Sequence, residues 1–253
     1  MFMSRSGLGS FFCFLIFCFL VSSCSRIDKK TGPVTSGSLM NYTLPALPYP
    51  FDALEPYLDA RTLEIHHDKH HAGYIAALNR ALERHPALFS YPLEWLLTHL
   101  DKVPEDIRPL IRDHGGGHAN HTFFWNCMSS VHDQTPPDIL LDAFTTSFGS
   151  FKEFQSQWKQ AALGHIGSGW VWLLTGPQGK LKIKTTYNHE LPHEPGCIAI
   201  LVMDIWEHGY YLKYQNLRGD YIDAWWHVVN WPFVASRYQS VMRCAARTCA
   251  QKP

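Results

Sequence analysis

The feature that most constrains the fold is a stripe of side chains spaced for a helix. Its members recur at intervals of three or four residues and are Leu63, His66, His70, Tyr74, Leu78 and Leu82. Because an α-helix has 3.6 residues per turn, these positions share one face. Asp59 precedes the stripe as a favoured N-cap residue, and Pro86 follows it. The pattern predicts a long helix with imidazoles on its apolar face.

A second long helix is predicted from residue 106 or 107 to residue 128. Pro109 lies in its first turns, where proline would kink or delay a helix. Three consecutive glycines at residues 115–117 lower helix stability, so we expect them to permit close backbone packing. The two helices would form an antiparallel hairpin within residues 43–133.

The pattern changes beyond a Pro-containing joint at residues 134–137. Ser150 and Glu153 have the spacing of a capping box, which predicts a helix to about residue 163. Strand patterns follow, with a hairpin over 170–174 and 181–186 and a central strand over 197–203. Residues 221–229 and 232–246 have helical patterns.

These patterns predict an α+β fold. An N-terminal antiparallel helical hairpin, residues 43–133, would precede a C-terminal α/β domain, residues 134–248, with a small antiparallel three-stranded sheet.

The N-terminus has the composition of a targeting segment. Residues 11–21 form an apolar run of eleven residues, shorter than the ~20 that span a bilayer but typical of a signal peptide core. The following Ser22-Ser23-Cys24 is similar to a bacterial lipobox. We predict a signal peptide over 1–23 and a lipidated Cys24 with a polar tether over 24–42. An ordinary secretory signal with an unmodified Cys24 is the alternative.

Both readings predict export. The protein would be a membrane-anchored bacterial lipoprotein facing the periplasm or the exterior, held only by the lipid on Cys24, or it would be secreted. The 22 basic and 22 acidic residues balance, which gives no reason to expect nucleic-acid binding.

Potential metal ligands lie in three segments. The segments are residues 64–74, 116–125 and 203–211. Together they offer imidazoles and a strand-end carboxylate, a donor set that favours iron or manganese over thiolate-bound metals. An adventitious surface histidine cluster is the alternative reading of the first segment.

These segments, with residues 167–170 and 215–221, resemble the signature stretches of iron/manganese superoxide dismutases. The resemblance extends from about residue 44 to residue 247, and Asp204-x-Trp206-Glu207-His208-x-Tyr210-Tyr211 is its strongest part. It implies conversion of superoxide to O₂ and H₂O₂ by redox cycling of one iron or manganese ion per subunit. It also implies a homodimer or tetramer.

The resemblance assigns roles to particular residues. The implied metal ligands are His66, His121, Asp204 and His208. Tyr74 and His70 would gate the substrate funnel. Glu207 would reach the partner subunit's His208, and Tyr211 the partner subunit's His70. Arg218 would add positive potential near the entrance.

The outer-sphere donor departs from the family pattern. In this family a glutamine contacts the metal-bound solvent from one place in iron types and from another in manganese types. The iron-type place is Gly117 here, as in manganese types, whereas the manganese-type place holds His189. Family members with histidine there include iron-using and metal-promiscuous enzymes, so the sequence leaves the metal open. A surface loop histidine beside a shifted alignment is the alternative reading of His189.

Two other classes of function stay open on the residues alone. A non-haem iron oxygenase commonly uses two histidines and one carboxylate, and an exported metal-binding or adhesive lipoprotein could use this fold without catalysis. The presence of Tyr74, His70 and Glu207 favours the dismutase.

Overall fold

The computed structural model describes the backbone of residues 41–250 and the side chains of residues 41–244. The predicted signal peptide, Cys24 and nearly all of the predicted tether lie outside the described residues. Within residues 41–250, no helix combines the length and the apolar character needed to cross a membrane.

Two long helices form the predicted hairpin. Helix α1 joins Ala60–Ile65, a π-helical turn over His66–His71, and Ala72–Leu82. Asp59 caps it as predicted, because its Oδ1 accepts a 2.8 Å hydrogen bond from the Thr62 amide.

The chain then returns to the hairpin through a short helix. Helix α2 covers Leu93–Thr98. Helix α3 joins Arg108–Leu110, a π turn over Ile111–Gly115, and Gly116–Asn126. Pro109 lies in the first turn of α3, where a missing amide is tolerated.

The π turns depart from the regular helices predicted. A π turn closes through hydrogen bonds between residues five apart, so such residues become neighbours along the helix. In α1 the Ala72 amide accordingly bonds the His67 carbonyl. As a result His66 and His71, five residues apart, are both buried.

Two helices follow the joint. Helix α4, Asp138–Phe148, was not predicted, and it buries Leu140, Ala143 and Phe144. Helix α5 covers Phe151–Gly164. The predicted cap of α5 is confirmed, because Ser150 Oγ accepts a 3.0 Å hydrogen bond from the Glu153 amide.

The sheet has the predicted three antiparallel strands. They are β1 Gly169–Thr175, β2 Leu181–Tyr187 and β3 Ile198–Asp204, in the order β2-β1-β3. The central strand is β1, which is buried along its whole length. The prediction of a central strand over 197–203 is therefore wrong, because β3 lies at an edge of this sheet and is buried by α3 and α8. Trp170 pairs with Thr186 on one side and with Asp204 on the other, which places Asp204, at the end of β3, next to Trp170.

Three further helices complete the described chain. They are α6 Tyr211–Tyr214, α7 Arg218–Trp225 and α8 Trp231–Ala250. Short 3₁₀ turns cover Pro86–Ser90, Leu100–Lys102, Glu207–Gly209 and Trp226–Val228. One large apolar cluster links the sheet with α3, α4, α5, α7 and α8, and a smaller one lies inside the hairpin.

Candidate metal centre

Four side chains converge where α1, α3 and the end of β3 meet. They are His66, His121, Asp204 and His208, and their ligand atoms lie within 4.8 Å of one another. Asp204 Oδ2 is 3.1 Å from His66 Nε2, 3.6 Å from His121 Nε2 and 3.3 Å from His208 Nε2. The fold thus brings together the tetrad that the family resemblance implied.

The donor atoms of this tetrad suit a cation. Nε2 of His66 and Nε2 of His121 are buried and make no hydrogen bond, even though the carboxylate is near. A buried polar atom left unpaired costs ~1–3 kcal/mol, whereas a metal ion would satisfy both nitrogens. Three imidazoles and one carboxylate match iron or manganese, so the residues fit the implied metal.

The protonation states also suit a metal. Burial lowers the pKa of His66 to about 4 and that of His121 well below its ordinary value. Burial by itself would raise the pKa of Asp204, but the neighbouring His208 and His66 hold it below the ordinary value. Neutral imidazoles and an ionised carboxylate are the forms that bind a metal ion.

Backbone contacts orient two of the four ligands. His121 Nδ1–H donates to the Gly117 carbonyl at 2.6 Å, which leaves the Nε2 lone pair facing the tetrad. Asp204 Oδ1 accepts from the Trp206 amide at 2.8 Å, so Oδ2 faces the histidines.

Tyr74 and His70 lie beside the tetrad. The Tyr74 ring is 5.3 Å from the His121 ring, and burial raises the pKa of its hydroxyl, with a further contribution from Asp204. His70 stacks on His208 with ring centroids 4.4 Å apart.

His189 is a buried residue and not the surface loop histidine of the alternative reading. Its side chain is 3% exposed, and its ring stacks on Trp206 at 4.5 Å and lies 4.4 Å from the Tyr74 ring. Trp170 Nε1–H donates to His189 Nδ1 at 3.2 Å. Burial lowers the pKa of His189 to about 4, so the neutral ring carries its proton on Nε2.

The remaining site residues lie outside the tetrad. Glu207 is exposed and Tyr211 is 49% exposed. The Arg218 guanidinium donates to Tyr210 Oη at 2.9 Å and to the His165 carbonyl at 2.9 Å, just beyond the end of α5. Arg218 therefore also stabilises the junction of α5 and α7.

Sequence reasoning missed two buried histidines next to the tetrad. His71, which could have been an adventitious surface residue, is fully buried, and His118 is nearly so. Burial lowers the pKa of His71 to about 2 and that of His118 to about 4. The five-residue interval from His66 to His71 points inward only when the helix contains a π turn, which the periodicity did not indicate.

Comparison with known proteins gives two matches along the chain and several full-length relatives. Residues 41–129 match the alpha-hairpin domain of the iron/manganese superoxide dismutases, and residues 136–237 match their C-terminal domain. A manganese superoxide dismutase of Listeria innocua is 47% identical over 201 residues, which cover 79% of this chain and 99% of the relative. A manganese superoxide dismutase of Leptolyngbya boryana is 43% identical over 227 residues, 89% of this chain and 92% of the relative. One from Thermus thermophilus is 46% identical over 190 residues, 75% of this chain and 93% of the relative.

Proposed function

The chain belongs to the iron/manganese superoxide dismutase family and converts superoxide to O₂ and H₂O₂, and we propose that His66, His121, Asp204 and His208 hold its catalytic ion. The observation that carries this proposal is the buried tetrad, whose ligand atoms lie within 4.8 Å of one another and include two unpaired nitrogens. When bound, the ion supplies the one-electron couple that oxidises one superoxide and reduces the next.

We propose that Tyr74 holds a proton for the reduced product at its Oη. Formation of H₂O₂ needs two protons, and a donor at the site must therefore keep its proton at neutral pH. The raised pKa of Tyr74 meets that condition. His70 forms the other side of the funnel gate, and Arg218 contributes positive potential that attracts the superoxide anion.

We propose manganese as the working metal, with His189 as the outer-sphere donor. A Cβ at residue 117 would lie 2.7 Å from Tyr74 Cγ, so a donor side chain at the iron-type position would have to displace Tyr74. His189 presents an Nε2–H from the manganese-type position instead. Relatives that are 43–47% identical are named as manganese enzymes, which favours the same choice.

We propose a homodimer, or a tetramer built from it. Glu207 would bind the partner subunit's His208, and Tyr211 the partner subunit's His70. Both side chains are exposed in the single chain, as a contact with a partner subunit requires.

We also propose export through residues 1–23 and anchoring through a lipid on Cys24, facing the periplasm or the exterior. Membrane fractionation of cells that express the full chain tests this proposal, with Cys24→Ala as the matched variant. A protein that stays in the membrane fraction after Cys24→Ala would exclude the lipid anchor. Release of the wild-type protein into the soluble fraction would favour the ordinary secretory signal.

The central experiment loads residues 25–253 separately with manganese and with iron, and measures metal content and superoxide dismutation. Activity with manganese only would support the metal assignment. Comparable activity with both metals would mean that His189 tolerates either. Full occupancy without dismutation by either form would favour the metal-binding lipoprotein and would overturn the proposed function.

A further inference from the structure

A chain of hydrogen bonds runs through buried side chains behind the tetrad. Trp125 Nε1–H donates to His71 Nδ1 at 3.0 Å, and His71 Nε2 is 2.8 Å from His118 Nδ1. Thr122 Oγ1 lies 3.3 Å from the same His118 nitrogen. Trp125, His71 and His118 are all less than 5% exposed. Because these groups are buried, breaking one bond would leave its partner unpaired at a cost of ~1–3 kcal/mol.

The direction of this chain is fixed by its first member. An indole nitrogen can only donate, so His71 Nδ1 must offer its lone pair. His71 then carries its proton on Nε2 and donates it to His118 Nδ1, and His118 in turn carries its proton on Nε2. An extra proton on either ring would set two N–H groups against each other, so only one arrangement of hydrogens satisfies every contact.

The chain touches two members of the tetrad. The Trp125 ring packs edge-on against the His66 ring, with centroids 4.8 Å apart and planes at 76°. The His71 ring stacks on the His121 ring, with centroids 5.3 Å apart and planes at 20°. The two histidines on the long helices are therefore backed by rings whose own orientation the hydrogen bonds determine.

The π turn of α1 makes this contact possible. It puts His71 on the inward side, next to His66, whereas a regular helix would rotate a residue five positions away out of register. His118 lies on α3, so the hydrogen bond between His71 and His118 also joins the two helices of the hairpin at the level of the tetrad.

We propose that His71 and His118 are positioning residues, which hold Trp125 against His66 and thereby keep His66 and His121 in the geometry that retains the metal. This inference rests on the proposed function, because it assumes that the tetrad holds the ion. Neither histidine would touch the ion or the substrate.

The test uses the manganese-loaded enzyme and the variants His71→Leu, His71→Gln and Trp125→Phe. Two readouts other than activity are measured, the rate of manganese release to a chelator below the unfolding temperature and the manganese EPR spectrum. Glutamine retains one acceptor and one donor, whereas leucine has neither. Trp125→Phe keeps an aromatic ring but removes the donor together with one ring of the indole, a volume loss that Trp158→Phe reproduces elsewhere in the core. Loss of a group that orients a ligand typically costs 10–100-fold in metal affinity.

We expect His71→Leu and Trp125→Phe to accelerate manganese release about 10- to 100-fold and to alter the EPR spectrum, and His71→Gln to restore most of both. Trp158→Phe is the matched control, because Trp158 is a fully buried tryptophan whose Nε1–H donates to Met203 Sδ and not to a histidine of the hydrogen-bonded chain. It should lower Tm and leave the release rate and the spectrum unchanged.

Release as slow as in the wild type for both His71→Leu and Trp125→Phe would overturn the proposal. The proposal would also be overturned if His71→Gln released manganese as fast as His71→Leu. The same holds if Trp158→Phe released manganese as fast as Trp125→Phe. If His71→Leu does not fold, Trp125→Phe and His71→Gln still decide the matter. Failure of the proposed function is distinguishable, because it would appear as manganese-loaded wild-type enzyme without dismutation, whatever the variants do.

Discussion

Gly117 and Tyr74 pack so tightly that a Cβ at residue 117 would lie 2.7 Å from Tyr74 Cγ. The near end of a tyrosine ring cannot yield without moving the whole side chain. We therefore expect Gly117→Ala to displace Tyr74 from its place between His121 and His189. The free energy of unfolding should fall by about 1–3 kcal/mol, as in other overpacked sites. Dismutation should fall more than metal content, as measured by activity assay and metal analysis.

Gly73→Ala is the matched control for that variant. Gly73 lies in α1, and a Cβ there would meet nothing within 4 Å. Alanine should raise the free energy of unfolding by roughly 0.5–1 kcal/mol, since glycine loses more backbone entropy on folding. Equal losses of stability and activity in the two variants would refute the close-packing argument.

Tyr74→Phe should separate proton delivery from metal binding. The phenyl ring keeps the packing against His121 and Gly117 but has no proton to give. We expect turnover at high superoxide concentration to fall roughly 10- to 100-fold, at or below the low end of the rate enhancement that a positioned general acid gives. Manganese content should not change. Tyr187→Phe, at an exposed tyrosine of β2, should match the wild type. Loss of metal in proportion to activity would contradict the role of Tyr74.

The helical hairpin and the sheet could be predicted because local signals and burial agree there. Asp59 and Ser150 are N-caps in sequence and in structure, and β1 and β2 pair as the predicted hairpin. The burial of β1 does not alternate, because this central strand is buried along its whole length. Helix α4 was missed even though Leu140, Ala143 and Phe144 have helical spacing. Thr145 and Thr146 in the same helix are poor helix formers. Packing of the buried face against the core compensates for their low helix propensity.

The tetrad itself was predictable only through the family resemblance. Spacing along α1 puts His66 and His70 on one stripe but does not say which of them is buried. With the π turn in place, His66 and His71 are buried and His70 is half-exposed. No periodicity rule based on 3.6 residues per turn could have indicated that pair.

Asp204→Ala and His208→Ala should each remove metal and activity together. Asp204 is the only anion of the tetrad and contacts all three imidazoles. Without it, no negatively charged ligand of the tetrad would remain to balance the charge of a divalent or trivalent ion. A bound ion stabilises the folded state by mass action, so both variants should also lose the increase in Tm that manganese gives the wild-type apoprotein. Metal analysis and calorimetry measure this, with the loop variant His193→Ala as control. Stoichiometric metal in either ligand variant would refute the assignment.

Cys127 should resist alkylation in the native enzyme. Its side chain is fully buried, and burial raises the pKa of the thiol to about 12. The thiolate is the reactive form, so at pH 8 only about one thiol in ten thousand would be ionised. Iodoacetamide labelling followed by peptide mass spectrometry should modify the half-buried Cys197 first and Cys127 only after denaturation.

The thiolate fraction grows tenfold for each unit of pH below the raised pKa, so raising the pH from 8 to 9 should accelerate labelling of Cys127 by no more than about tenfold. Rapid labelling of Cys127 at pH 8 would mean that this part of the core opens readily.

Glu207→Ala should weaken self-association. The side chain is exposed beside His208 in the single chain, and in a two-fold dimer its proposed contact with the partner subunit's His208 would occur twice. Losing both contacts should raise the dissociation constant of the dimer at least about tenfold, which corresponds to ~1.4 kcal/mol. Sedimentation velocity across a dilution series measures the change. Glu105→Ala is the control, because this exposed carboxylate of the hairpin makes only a long contact, 3.8 Å, with Arg108. An unchanged mass for Glu207→Ala at every concentration would exclude the bridging role, and an equal effect of Glu105→Ala would mean that surface charge in general controls association.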